Sequence, residues 1–311
     1  MSLTMTIPIH KPVLLSEVVE ALQAQPGKRY VDCTLGSAGH ATAILNQIVP
    51  DGQFLGIDAD PEAIEIAKKT LADYAESITL INDNFVNLET ICKENNFLPV
   101  DGIVFDLGFS STQLELSERG FSFQGDGPLD MRFSPTQGLT ADNVVNTFSE
   151  DKLSQIIKTC GEEHRSKWIA RYIVKNRPIN STLQLAGIVE KAVGGRHGRI
   201  HPATRTFMAL RIFVNNEMEN LAAALKQTIA CLKTQGRLAV ISYHSLEDRI
   251  VKQFMQRESK GCLCPPSTPV CRCGHTPSLK IITRKVITPS LAETKSNPRS
   301  RSAKLRVAER L

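Results

Sequence analysis

Three short segments carry side chains whose types and spacing could do chemistry. The first is Gly36-Ser37-Ala38-Gly39-His40, which follows the apolar run Arg29 to Leu35. A glycine pair after a strand lets backbone approach a ligand closely, and dinucleotide and S-adenosylmethionine sites both use that access. A plain strand-to-helix turn is the bland alternative. Gly-x-Gly-x-x-Gly is not matched, because Ser37-Ala38 separates the glycines and Ala41-Thr42 follows His40. That weakens a pyrophosphate site. S-adenosylmethionine carries no phosphate, and its site needs room for the methionine end and an acid for the ribose hydroxyls. Asp58, at the end of a second apolar run, is placed to be that acid. The other reading of Asp58 is a surface acid ahead of a helix capped by Asp60.

The second segment is Asp106-Leu107-Gly108, which ends a further strand-like run. Ligands of open α/β sheets bind beyond the carboxyl ends of strands, so Asp106 is expected to face the site. Phe85 could cover an adenine ring or sit in the core, and Gln113 could hydrogen-bond a base or the cofactor. The third segment is Cys262-x-Cys264 with Cys271-x-Cys273 and His275 beyond. Four thiolates can hold zinc tetrahedrally, yet Cys-x-Cys is tighter than the usual spacing, and a reduced loop or a disulfide is the alternative. No catalytic metal is assigned.

The elements that must position these residues follow from periodicity. Arg29 to Leu35, Phe54 to Asp58, Ile78 to Asn82 and Asp101 to Asp106 read as buried strands. Between them lie helical patterns at Ala41 to Ile48, Glu62 to Tyr74 and near Leu88 to Glu94. Alternation at this spacing predicts an α/β fold with a parallel sheet covered on both faces. The rhythm breaks after Gly108, and a basic helical stretch runs from Ser149 to about Val193. A long helix is expected from Ala203 to Leu232, then a fifth strand at Arg237 to Tyr243 and a helix capped by Ser245. Lys280 to Thr288 and Lys304 to Ala308 are expected to close the sheet.

Charge divides along the chain more than its net of +5 suggests. Residues 1–160 carry 10 Lys/Arg against 22 Asp/Glu, residues 161–211 carry 10 against 3, and residues 280–311 carry 9 against 2. A basic second half suits a polyanion, although a solvated charged surface would look the same. No apolar run is long enough to span a membrane and the first residues lack a signal-peptide layout, so a cytoplasmic location is expected. Cys33, Cys92, Cys160 and Cys231 lie singly in apolar patterns, as reduced thiols do.

With these residues in view, the sequence resembles the RsmH (MraW) family of bacterial small-subunit ribosomal RNA methyltransferases. The likeness is carried by His10-x-Pro12-Val-Leu-Leu15, by Gly36 to His40, and by Asp106-Leu-Gly-Phe-Ser-Ser to Glu118-Arg-Gly-Phe-Ser-Phe123. It continues in Asp126-Gly-Pro-Leu-Asp-Met-Arg132, His201-Pro-Ala-Thr-Arg-Thr-Phe207, Ile241 to Arg249 and Asn297 to Arg306. Ser37-Ala38 stand where Arg-Gly is common, and the cysteine cluster is absent from some members. The resemblance implies a class I (Rossmann-like) methyltransferase sheet in residues 1–112 and 206–311, with an inserted all-helical substrate domain at 113–205. It implies N4-methylation of a cytidine in the decoding region of 16S rRNA, within the small ribosomal subunit, by a monomer or homodimer using S-adenosylmethionine. By motif match the cofactor contacts fall on Ala38, Gly39, His40, Asp58, Phe85, Asp106 and Gln113. Asp106 is the expected catalytic residue, with Ser110, Ser111 and His244 as further candidates. Arg165, Arg171, Arg199 and Arg205 of the insert, with the basic tail, are expected to grip RNA phosphates. A nicotinamide-dependent oxidoreductase and a non-catalytic RNA-binding assembly factor are the competing readings.

Overall fold

The structure, a computed structural model, describes residues 12–109, 117–196, 198, 200–265 and 270–311. His10, Ser110, Ser111, Gln113 and Arg199 lie outside the described residues. The chain forms two compact units, Met1–Gly108 with Asn220–Leu311, and Phe109–Glu219.

In the first unit the described residues build one seven-stranded sheet of order β3-β2-β1-β4-β5-β7-β6. The strands are β1 Arg29–Asp32, β2 Gln53–Asp58, β3 Ile78–Asn82, β4 Val100–Asp106, β5 Leu232–Ser242, β6 Leu279–Ile281 and β7 Lys304–Arg310. Each strand from β1 to β5 pairs in parallel with its neighbours among those five. β7, one of the runs expected to close the sheet, runs antiparallel to both β5 and β6. Lys280 to Thr288 is not one strand: β6 is short, and Ile287 makes only an isolated bridge to Leu305.

The apolar runs are continuous because both faces of the sheet are covered. Val31, Leu55, Ile57, Ile103 and Phe105 join one core with helices Leu88–Glu94 and Ser245–Glu258. Their chain neighbours Tyr30, Phe54 and Val104 join the other core with helices Leu15–Leu22, Gly39–Ile48 and Pro61–Thr70. That partition is the two-residue period of a strand read on a sheet with two buried sides. Between β1 and β4 the chain order reverses, which leaves a crevice at their carboxyl ends.

Helix starts follow local chemistry. Asp60 caps Pro61–Thr70 by accepting the Glu62 N–H, with Pro61 in the first turn. Helix Ser245–Glu258 is capped by His244 and not by Ser245: Nδ1 of His244 accepts the Glu247 N–H at 3.4 Å, and the Glu247 carboxylate accepts the His244 N–H at 3.2 Å.

The second unit is helical wherever it has regular structure among the described residues, with helices Ala141–Thr147, Glu150–Gly161, Ser166–Lys175, Thr182–Ala192 and Ala203–Val214. Phe207, Ala209, Leu210 and Val214 lie in this unit's own core with Leu153, Ile157 and Ile169. Helix Ala203–Val214 therefore belongs to the helical unit, whereas the sequence boundary at 205/206 placed most of it with the sheet.

The single helix expected from Ala203 to Leu232 is two helices, ending at Val214 and restarting at Glu217. Asn215 and Asn216 break it, with Asn216 at φ 52°. The Asn215 side chain is spent on tertiary bonds: its amide donates to the carbonyls of Met131 (2.7 Å) and Arg211 (2.9 Å), and its oxygen accepts the Phe133 N–H (2.7 Å). Arg211, also buried, grips the Glu217 carboxylate with two hydrogen bonds of 2.7 and 2.9 Å just beyond the break. The basic tail is likewise structural where it forms β7, since Lys304 and Arg306 both pair with Asp248, at 3.3 and 2.7 Å.

Asn215→Ala strands a half-buried N–H and a buried carbonyl at once, so it should lower unfolding free energy by roughly 2–4 kcal/mol in chemical denaturation. A loss below about 1 kcal/mol would show that the break does not depend on these bonds.

Candidate active site at the carboxyl edge of the sheet

Asp32, Asp58 and Asp106 close β1, β2 and β4, and parallel pairing brings their carboxyl ends to one edge. β1 ends buried: Asp32 is 1% exposed. One Asp32 oxygen accepts the Thr34 N–H at 2.9 Å and the Thr34 hydroxyl at 3.3 Å. The same hydroxyl oxygen accepts the backbone N–H of Asp106 at 2.6 Å, so Thr34 ties the end of β1 to the end of β4.

The glycine loop leaves from this tie. Gly36 is at φ 50°, and its N–H donates to Asp58 at 2.8 Å. The other Asp58 oxygen accepts the Asp60 N–H at 2.9 Å, which fixes the carboxylate across the end of β2. Ala38 takes the left-handed conformation at φ 65°, unusual for a residue with a Cβ, and is fully buried at the start of helix Gly39–Ile48. A Cβ on Gly39 would lie 2.2 Å from Cγ of Pro12, so glycine is required there.

His40 turns inward. Its Nε2 lies 3.0 Å from the Val13 carbonyl, which assigns the proton to that nitrogen, and Nδ1 faces an Asp106 oxygen at 3.5 Å. The Tyr243 hydroxyl donates to the other Asp106 oxygen at 2.7 Å. Asp106 is thus held through its backbone by Thr34 and through its side chain by Tyr243, with His40 alongside, and its side chain keeps 17% exposure.

Burial sets the protonation states. Desolvation pushes Asp32 up to about 6, against the favourable charge of nearby His40. It pulls His40 down, towards the neutral imidazole. Desolvation and the Asp106 charge push Tyr243 far up, so its hydroxyl remains a donor.

Of the residues expected from the sequence, the structure brings Asp58 onto the loop and His40 beside Asp106. Phe85 begins a turn after β3, and its ring packs edge-on against Phe105 at 5.6 Å, so part of it serves the core. His244 spends Nδ1 on its helix cap. Asp32, Thr34 and Tyr243 were missed. An acid inside an otherwise apolar strand marked Asp32, and the strand-end rule that found Asp106 also applies to Tyr243, one residue beyond β5.

The chain matches the MraW methylase family over residues 8–311. It belongs to that family. Among curated relatives it is 58% identical to the ribosomal RNA small subunit methyltransferase H of Dehalococcoides mccartyi, over 97% of this chain and 86% of the relative. It is 51% identical to the protein of that name in Thermomicrobium roseum, over 97% and 94%. Among solved structures it is similar to an rRNA methylase from Streptococcus thermophilus, at 12% identity and a TM-score of 0.43, over 97% of this chain and 98% of that one.

S-adenosylmethionine is the cofactor of this methylase, and the donor set suits it. The carboxyl groups of Asp32, Asp58 and Asp106 gather where a cationic sulfonium would be drawn and an anionic pyrophosphate repelled. That disfavours the nicotinamide reading on charge as well as on motif.

Because Asp32 binds its proton more tightly folded than unfolded, the stability it contributes is present below about pH 4 and is lost as pH rises through about 6. Relative to Asp32→Asn, the wild type should lose roughly 3 kcal/mol between pH 4 and 7.5 in paired denaturation curves. Parallel pH profiles would contradict the shifted carboxyl.

Proposed function

We propose that this chain transfers the methyl group of S-adenosylmethionine to N4 of a cytidine in the decoding region of 16S rRNA, in the cytoplasm and within the small ribosomal subunit. The observation that carries the reading is the fixed Asp106 carboxylate at the carboxyl end of β4, in a chain whose close relatives bear the name ribosomal RNA small subunit methyltransferase H.

S-adenosylmethionine, when bound, would supply an electrophilic methyl carbon on a cationic sulfur, which leaves as a neutral thioether. Asp58 would hold the ribose hydroxyls, Phe85 would cover the adenine, and the backbone of Ala38 to His40 would hold the rest of the cofactor. Asp106 would stand between cofactor and target. The exocyclic amine of cytosine is a weak nucleophile because its lone pair is delocalised into the ring. A carboxylate accepting one of its hydrogens localises that pair and takes up positive charge as the new bond forms. Tyr243 and Thr34 keep Asp106 in place, and neutral His40 lies next to it to share the released proton.

The helical unit supplies an RNA surface. On helix Ser166–Lys175 the side chains of Lys167, Trp168, Arg171, Tyr172 and Lys175 are exposed, and Trp168, Arg171, Tyr172 and Lys175 share one face by helical spacing. Trp168 is 57% exposed with the Arg171 guanidinium 5.3 Å from its ring, a pairing suited to stacking on splayed bases between phosphates. Arg165 donates to the Val193 carbonyl at 2.5 Å and Arg205 pairs with Glu163 at 3.6 Å.

Small subunits prepared without this methylation should, after incubation with enzyme and cofactor, yield N4-methylcytidine on nucleoside mass spectrometry; a methyl on another base, or only on protein, would overturn the reading. Asp106→Ala should lower the single-turnover rate by about 10²–10⁴-fold at saturating cofactor. Normal turnover in that variant would remove Asp106 from the mechanism. Trp168→Ala should weaken RNA binding roughly tenfold in filter binding and leave cofactor affinity unchanged. Unaltered RNA affinity would exclude this face.

A further inference from the structure

Cys262, Cys264, Cys271 and Cys273 take no part in the site above. They lie between helix Ser245–Glu258 and β6, and all four are free thiols. Their sulfurs all lie within 4.8 Å of one another. Individual separations are 3.4 Å for Cys262–Cys271, 3.5 Å for Cys271–Cys273, 3.8 Å for Cys262–Cys273 and 4.0 Å for Cys264–Cys271.

These distances decide between chemistries. A disulfide needs about 2.05 Å. Four sulfurs each about 2.3 Å from one tetrahedral metal stand roughly 3.8 Å apart, which is the spacing seen here. Cys-x-Cys, tighter than the common zinc-finger spacing, nevertheless brings both sulfurs of each pair within 4.8 Å of the others.

Backbone donors point the same way. The N–H of Leu263 donates to Cys273 at 3.3 Å, that of Cys264 to Cys262 at 3.3 Å, and that of Arg272 to Cys264 at 3.4 Å. Hydrogen bonds of this kind fix the orientation of ligand groups around a metal. The base of the loop is closed independently: Ser278 donates its N–H to the Glu258 carbonyl and its hydroxyl to the Glu258 carboxylate, both at 2.8 Å, and His275 meets the Arg257 carbonyl at 3.2 Å.

We propose that these four cysteines bind one Zn²⁺ as a closed structural site that locks the loop between helix Ser245–Glu258 and β6. Each thiol gives its proton to solvent as its sulfur bonds the metal, so four thiolates and one Zn²⁺ leave a net charge of −2. Exposed Lys260 and Arg272 lie beside the ligands in sequence to offset that charge. With four protein ligands no coordination position is left for substrate, so the metal is distinct from the methyl-transfer chemistry.

The full-length chain, purified without chelator from zinc-supplemented cells, should carry about one zinc by elemental analysis. Metal-free protein titrated with Zn²⁺ should show four thiols protected from alkylation at about one equivalent, and Co²⁺ should give the thiolate charge-transfer and intense d–d absorption of a tetrahedral site. Cys264→Ser with Cys271→Ser should abolish both signals while methylation activity persists. The proposal is overturned by a chain with no bound zinc whose four thiols stay reactive at saturating Zn²⁺, by a mass showing two disulfides, or by bound iron in place of zinc. The metal-free titration on the wild type keeps the test decisive if the double variant fails to fold.

Discussion

The hydrogen bond from the Asp106 backbone to the Thr34 hydroxyl joins the ends of β1 and β4 at the point where the sheet's strand order reverses. Everything around the site is arranged about it. Thr34 can accept from Asp106 because its own hydrogen goes to Asp32, and Asp32 is buried there despite the cost of desolvating a carboxyl. The glycine loop starts two residues later, already aimed at Asp58, and brings His40 back under Asp106. Tyr243, one residue beyond the neighbouring strand β5, completes the grip. A carboxylate held from three elements is preorganised, so little reorganisation is left for the moment of reaction.

Charge divides along the chain and not between the units, since residues 109–219 carry 14 Lys/Arg against 12 Asp/Glu. The acidic first half holds the three strand-end carboxyls, an environment matched to a cationic methyl donor. On helix Ser166–Lys175 of the helical unit, exposed Trp168 and Arg171 stand side by side with Lys167 and Lys175 nearby, the groups proposed above to meet RNA. No described helix is long and apolar enough to cross a membrane.

Much of the α/β unit was readable from one sequence because its signals are local. Continuous apolar runs gave β2 and β3 almost to the residue, Asp60-Pro61 gave a helix start, and the strand-end rule gave Asp58 and Asp106. What was not readable depends on partners distant in sequence. Asn215 looks like an ordinary helix residue until Met131 and Phe133 supply its bonds, and only then does one long helix become two. His244 is not a usual capping residue, so Ser245 was the natural reading. Lys304 and Arg306 looked like a phosphate-gripping tail because Asp248, their partner, is 56 and 58 residues away. The cysteines were ambiguous for the same reason: spacing alone does not fix the distance between sulfurs.

Calorimetric titration of S-adenosylmethionine and NAD against the wild type and Asp58→Ala tests most directly whether the carboxyl edge of the sheet is the cofactor site. S-adenosylmethionine should bind the wild type, lose roughly ten- to a hundredfold in affinity on removal of Asp58, and have no counterpart in NAD. Equal affinity of both proteins for S-adenosylmethionine, or binding of NAD in its place, would contradict the account.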